Sequence, residues 1–108
     1  MFAKTNTYPY RALMQGVTMR PVALGEKGNL CEFRLLKGHR LPSHRHPYEQ
    51  TGTLVSGKLN FRIENTWHLA EPGDGWSVPA NAEHEVEVLE DSVVLEMFNP
   101  GRPDYLPE

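Results

Sequence analysis

The sequence predicts an all-β fold, either a sandwich or a barrel of short strands. Apolar and polar residues alternate with period two in several runs, which is the pattern of a strand with one buried face. Turn-forming residues separate these runs at the roughly 8–12-residue spacing that is typical of sandwiches and barrels. No segment carries a convincing helical period longer than two turns.

The N-terminal part of the chain provides the first two predicted strands. A short helical stretch is expected over residues 10–15, ahead of them. Residues 17–24 read as a strand that Pro21 either breaks or confines to a sheet edge, because proline cannot donate a ladder hydrogen bond. Residues 30–36 alternate clearly, with Cys31, Phe33 and Leu35 on the inward face.

The C-terminal part repeats the same signals at short spacing. Strands are predicted over residues 58–63, 66–69, 76–79, 83–89 and 92–98, with turns at 64–65, 71–75 and 90–91. The strand at 92–98 is apolar on both faces, which indicates a second sheet or a partner subunit outside it. On this ground we predict a homodimer.

Composition narrows the classes of protein and of partner. A chain of 108 residues and 12.3 kDa is expected to form one domain over residues 1–108. The net charge of −3 argues against nucleic acid as a partner, because no basic stripe is present to replace phosphate counterions. The sequence has no apolar run of membrane-spanning length and no apolar signal core, so we expect a cytoplasmic protein without membrane contact.

One stretch, residues 38–57, carries the strongest chemical signal. His44, His46 and Gln50 are all even-numbered, so their side chains would point to one side of an extended chain. Downstream, His84 begins a second alternating segment and could reach the same place. Imidazole and amide groups in this arrangement can hold a divalent metal. Glu49 is the alternative to Gln50 if Pro47 shifts the register.

These residues resemble the two sequence motifs of the cupin family. Gly38-x5-His44-x-His46-x3-Gln50-x6-Gly57 is similar to the first motif, and Gly73-x5-Pro79-x4-His84 is similar to the second. The resemblance implies a double-stranded β-helix, which is a jelly-roll-like barrel. It also implies that His44, His46, Gln50 and His84 are the metal ligands. Asn81 stands where the family often has glycine, and asparagine tolerates the left-handed turn conformation.

A narrower resemblance involves the C-terminal part of the chain. His-Arg-His-Pro-Tyr-Glu-Gln, together with the ending Val-Val-Leu-Glu-Met-Phe-Asn-Pro-Gly-Arg-Pro, resembles small cupins grouped with a pectin-degradation protein that opens cyclic unsaturated uronates. This resemblance implies that Glu96 is an acid–base group, where the group usually has the shorter Asp. It implies that Phe98 and Arg102 line the pocket. By parity, Tyr48 is expected at the mouth of that pocket.

Three functions follow as hypotheses. The first is a metal-assisted isomerase or lyase-like enzyme that opens a cyclic sugar acid, with Arg102 holding the carboxylate of this small-molecule ligand. The second is a metal-dependent dioxygenase, and the third is a non-catalytic module that binds a small metabolite. Neutral ligands leave the full charge of the cation available to polarise a carbonyl, which favours the first. One Zn, Ni, Fe, Mn or Co ion is expected. For Glu96 the alternative is a position at a subunit interface or in solvent.

Overall fold

The computed structural model describes residues 1–107 and shows an almost entirely β architecture. The elements, in chain order, are β1 (Arg11–Met14), β2 (Val17–Leu24), β3 (Asn29–Leu35), β4 (Arg40–His44), β5 (Glu49–Ile63), β6 (Thr66–Ala70), β7 (Gly75–Val78), β8 (His84–Asn99) and a single 3-10 turn, Pro103–Tyr105. No α-helix is present within residues 1–107, so none of the described helical structure is long enough to cross a membrane.

Two long strands, β5 and β8, organise the barrel. They pair with each other in antiparallel fashion over nearly their whole length. The second half of β8 also pairs with β3, whereas its first half pairs with β4. Similarly, β5 pairs with β7 near its start and with β6 near its end. Each long strand therefore changes partners along its length, and together they close the eight-stranded sheet into the jelly-roll-like barrel that the sequence predicted.

The corner at which β8 changes its partner from β4 to β3 explains why a predicted turn is absent. Residues 90–91 do not form a tight turn, because β8 continues through them and bends. The register of β5 against β8 shifts at the same level, around Gly57. Gly57 has φ +100°, and a Cβ there would lie 2.2 Å from the Ser92 hydroxyl. That hydroxyl donates to the Glu90 carbonyl at 2.7 Å and accepts from the Lys58 N–H at 3.1 Å, which ties the two bends together.

The N-terminal strands β1 and β2 continue the sheet beyond β3. The expected helix over residues 10–15 is wrong, since β1 pairs there with the first residues of β2. Pro21 lies in β2 beyond the end of this pairing, next to a register shift against β3, so its missing N–H leaves no hydrogen bond unmade on the β1 side.

Inward-facing apolar residues form the core; those less than 2% exposed include Val17, Met19, Cys31, Leu54, Leu59 and Val78.

Candidate metal centre and adjoining cavity

The three motif histidines come together at one end of the barrel. His44 is the last residue of β4 and pairs directly with His84, the first residue of β8. His46 follows in the β4–β5 loop, and the N–H of Asn81 donates to its carbonyl at 2.7 Å. Asn81 has φ +67°, the left-handed turn conformation expected there. The hydrogen bond from Asn81 to His46 joins the two sequence motifs.

Gln50 joins these histidines from a different strand. The chain is not one extended segment from His44 to Gln50, because residues 45–48 leave the sheet before β5 begins. The side-chain convergence expected from period-two alternation therefore arises across the barrel interior. Gln50 is 6% exposed, whereas Glu49 points outward and is exposed.

Each imidazole is held by a backbone carbonyl two residues away. The Nδ1 atoms of His44, His46 and His84 lie 2.8, 3.0 and 2.9 Å from carbonyl oxygens, which belong to Pro42, Tyr48 and Ala82 respectively. A carbonyl only accepts, so each Nδ1 carries the hydrogen and donates it. Each Nε2 is then left with a lone pair, which is the tautomer that binds a metal through Nε2.

The environment keeps the buried rings neutral. Burial lowers the pKa of His84 to about 4, because the charged imidazolium would lose its hydration. Burial also lowers the pKa of His46, and the positive charge of Arg102 adds to this effect. The Nε2 atom of His84 is fully buried and has no hydrogen-bond partner among residues 1–107. An orphaned lone pair of this kind is costly unless something binds it.

The donor set fits a divalent transition metal. One ring nitrogen of each histidine lies within 4.8 Å of those of the other two. The Oε1 atom of Gln50 is 3.0 Å from Nε2 of His46. Because Nδ1 of His46 carries the hydrogen, the Gln50 oxygen faces the lone pair on Nε2 of His46, while Gln50 lowers the pKa of the neighbouring Glu96 carboxyl. Two lone pairs then face each other, and a cation between them would satisfy both.

Glu96 lies on the inward face of β8, on the same cavity wall as His44, Gln50 and His84. The indole N–H of Trp76 donates to its Oε2 at 3.2 Å. Burial raises the pKa of Glu96 to about 7, outweighing the lowering by these hydrogen bonds and by Arg102. Room for the indole comes from Gly52, where a Cβ would lie 2.8 Å from Nε1 of Trp76.

Arg102 reaches the same cavity from the C-terminal tail. Its guanidinium carbon lies 5.3 Å from the centre of the Phe98 ring, 5.4 Å from that of Tyr48 and 4.0 Å from that of Tyr105. Phe98 is 2% exposed and forms part of the cavity wall. Tyr48 is half-buried and packs beside His46. The structure thus brings all the site residues predicted from the sequence to one end of the barrel.

Several residues at this end were not predicted from the sequence. Trp76 lines the cavity, and its inward parity with Val78 in β7 is the sequence signal for that position. Asn29 and Asp104 carried no signal, because their partner Arg102 is far from Asn29 in sequence and Asp104 is an exposed tail residue.

Comparison with known proteins agrees with this geometry. The family model described as a cupin domain matches residues 31–99. The pectin degradation protein KdgF of Dickeya dadantii (strain 3937) is 25% identical over 100 residues, covering 91% of each chain. The structure of KdgF from Halomonas sp. superposes with a TM-score of 0.91 at 25% identity, covering 98% of both chains. An RmlC-like cupin from Shewanella frigidimarina NCIMB 400 also gives a TM-score of 0.91, at 17% identity over 97% of this chain and 95% of that one, which shows the shared fold alone.

Proposed function

This chain belongs to the cupin family, and from that premise we propose that it is a metal-dependent enzyme that opens the ring of a small sugar acid. The substrate class is a cyclic unsaturated uronate or a related keto-acid. The similarity to two KdgF proteins, one named for pectin degradation, supports this class over others. One divalent transition metal would be bound by His44, His46, Gln50 and His84.

The observation that carries the proposal is the shared cavity. Three of the four metal-ligand candidates (His44, Gln50 and His84) lie on its walls, together with a carboxyl group whose pKa is near neutrality and a cationic guanidinium. When bound, the metal supplies a Lewis acid that polarises an oxygen of the substrate. Ring opening also needs a proton moved between a hydroxyl and the ring oxygen, and an anchor for the carboxylate.

Glu96 is suited to moving the proton. A general acid–base group works best when its pKa lies near the working pH, because it then both accepts and donates. The raised pKa of Glu96, about 7, satisfies this condition. The indole N–H of Trp76 donates to one carboxyl oxygen, Oε2, which fixes the direction of the carboxyl group. The carboxyl group is therefore oriented as well as tuned.

Arg102 is suited to holding the substrate carboxylate. Its side chain is 14% exposed and lines the cavity, so a carboxylate bound there would be shielded from water. Phe98 closes the cavity beside it, and Tyr48 contacts the guanidinium from the side of the β4–β5 loop. A neutral sugar would offer no carboxylate to the guanidinium of Arg102, so the site would favour acids.

The ring-opening rate tests the proposal. A cyclic 4-deoxy-5-keto-uronate is followed by NMR, or by a coupled reductase that accepts only the open chain, with metal-loaded protein and with chelated protein. We expect opening faster than the spontaneous rate only with metal. Glu96→Gln should reduce the acceleration by about 10²–10⁴-fold while metal content stays unchanged. If the metal-loaded protein leaves the rate at its spontaneous value, the sugar-acid proposal is wrong.

The same preparation distinguishes the other two functions. Oxygen uptake with a small acid would identify a dioxygenase. Tight binding of a small metabolite with no turnover would identify a non-catalytic module. The neutral donor set supports polarisation of a carbonyl over the stabilisation of a higher oxidation state, which a carboxylate ligand favours.

We also propose that two copies of the chain associate through the outer face of β8. Met97 is 40% exposed there, and Leu95 and Leu30 beside it are half-buried around a shallow apolar depression. Light scattering should give a mass near twice 12.3 kDa. Met97→Glu should reduce it to the monomer, whereas Leu36→Glu, at a 52%-exposed site elsewhere, should not. A monomeric wild-type protein would contradict the proposal. The cytoplasmic location stays a prediction.

A further inference from the structure

The guanidinium of Arg102 is held along one edge by Asp104. Its Nε donates to Oδ1 at 3.2 Å, and its Nη2 donates to Oδ2 at 2.7 Å. A guanidinium has five N–H donors, and this side-on pair uses two of them. Within residues 1–107, no oxygen accepts from Nη1. The opposite edge, formed by Nη1 and the second hydrogen of Nη2, is therefore free.

The surroundings restrict what can approach that free edge. The rings of Tyr105, Phe98 and Tyr48 lie within 5.4 Å of the guanidinium carbon. Aromatic rings near the guanidinium satisfy part of its charge but accept no strong hydrogen bond. Arg102 also lines the cavity, so its guanidinium lies within reach of a ligand bound there.

The tail that carries Asp104 is fixed to the barrel at several points. The buried side chain of Asn29 donates to the Arg102 carbonyl at 3.2 Å and accepts from the Arg102 N–H at 3.3 Å. Arg11 donates to the carbonyls of Asp104 and Leu106 at 2.5 and 2.7 Å. The backbone on both sides of the ion pair is thus held by β1 and β3, and the carboxylate of Asp104 is held in place with it.

We infer that Asp104 is a positioning residue, which fixes the side-on edge of Arg102 so that the end-on edge receives the carboxylate of the ligand. This inference rests on the sugar-acid function proposed above. A free arginine side chain loses much rotamer freedom when it binds a carboxylate through two N–H groups. Holding the guanidinium beforehand removes that cost from ligand binding. The hydrogen bond from Arg102 lowers the pKa of Asp104, so Asp104 remains ionised at neutral pH.

A binding experiment on metal-loaded protein separates this role from others. The probes are galacturonate and its neutral analogue galactose, which lacks the carboxylate, and binding of each is titrated by NMR. We expect Asp104→Asn to weaken galacturonate binding roughly tenfold and to leave galactose unchanged, since only the carboxylate uses the oriented edge. Glu71→Gln removes the same charge from an exposed loop position and should change neither.

A second variant isolates the effect of orientation. Arg102→Lys keeps the positive charge but has no planar edge to orient. It should weaken galacturonate binding, and adding Asp104→Asn to it should have no further effect. If Asp104→Asn does not fold, Asp104→Glu replaces it, with the same expected weakening because its oxygens are displaced by one methylene.

The outcomes distinguish this inference from the function on which it rests. Wild-type protein with no preference for galacturonate over galactose overturns both together. A preference that Asp104→Asn leaves intact overturns the positioning role alone. Tighter galacturonate binding by Asp104→Asn also overturns it, because Asp104 would then compete with the ligand for Arg102.

Discussion

Two titratable groups that line the cavity should oppose each other in the pH dependence of stability. Burial lowers the pKa of His84 from 6.5 to about 4, with smaller lowering by His44, His46 and Arg102. Burial raises the pKa of Glu96 from 4.5 to about 7, although Trp76, Gln50 and Arg102 lower it in part. The prediction concerns chelated protein, in which no metal alters either group.

The two shifts act with opposite sign. From pH 6.5 down to about 4, His84 binds a proton in the unfolded chain but not in the folded one, so its contribution to stability is lost as pH falls. From pH 4.5 up to about 7, Glu96 is protonated in the folded chain but ionised in the unfolded one, so its contribution is lost as pH rises. Between about pH 4.5 and 6.5 the two slopes cancel in the wild type.

Removing either group should reveal the pH dependence of stability that the other group causes. Each shift corresponds to at most about 3.5 kcal/mol, at about 1.4 kcal/mol per pKa unit. Relative to wild type, the free energy of unfolding of Glu96→Gln should fall by up to about 3 kcal/mol between pH 7 and pH 4.5. His84→Leu, which fills the same buried site with an apolar group, should gain a similar amount relative to wild type between pH 6.5 and pH 4.

Urea denaturation in the presence of a chelator measures both differences. Tryptophan fluorescence follows unfolding at each pH, and distant shifted groups such as Glu32 titrate in all three proteins and largely cancel. Changes of the same sign in both variants would refute the reasoning, as would two changes below about 0.5 kcal/mol, the usual effect of a surface substitution.

Further predictions concern the metal and the barrel corner. Elemental analysis should find about one transition metal per chain, by the one-site ligand count. The variant His46→Ala should lose most of this metal. Full metal occupancy in a variant that combines His44→Ala with His84→Ala would exclude this site. A chelator should lower the melting temperature, because metal that binds only the folded state stabilises it by mass action. If the melting curve stays the same although the metal has been shown to be removed, metal binding and folding are not coupled. Gly57→Ala should destabilise the chain by about 1–3 kcal/mol, since φ is +100° there and the new Cβ would meet Ser92; urea denaturation equal to that of wild type would contradict the corner geometry.

The strands were predictable where one face is buried, and the connections were less so. Residues 30–36 alternate in the sequence, and β3 occupies Asn29–Leu35. Residues 90–91 look like a hairpin turn, yet β8 passes through them. A turn and a strand corner use the same polar residues. The difference lies in pairing with β5, whose bend at Gly57 matches the bend at Ser92. The sequence around each bend does not predict that the two bends lie side by side.

The candidate site shows a similar division between local and distant information. The identity of the ligand candidates followed from spacing and from resemblance. The hydrogen bonds that surround Arg102 did not, because Asn29 lies 73 residues away and its amide could have met any partner. Glu96 was predicted as an acid–base group from resemblance alone. Its inward direction and its neighbour Trp76 depend on the packing of β7 beside β5.

The tautomers of the three histidines are set by residues that are close to them in sequence. Each Nδ1 hydrogen is bound by a carbonyl only two residues away, so the chain around each histidine can set the tautomer before the barrel closes. What the barrel adds is convergence, through pairing of His44 with His84 and the bond from Asn81 to the His46 carbonyl. Folding therefore brings the three Nε2 lone pairs together, at the cost of burying that of His84 without a hydrogen-bond donor. A metal ion removes that cost, which is the physical reason to expect metal binding and barrel stability to be linked.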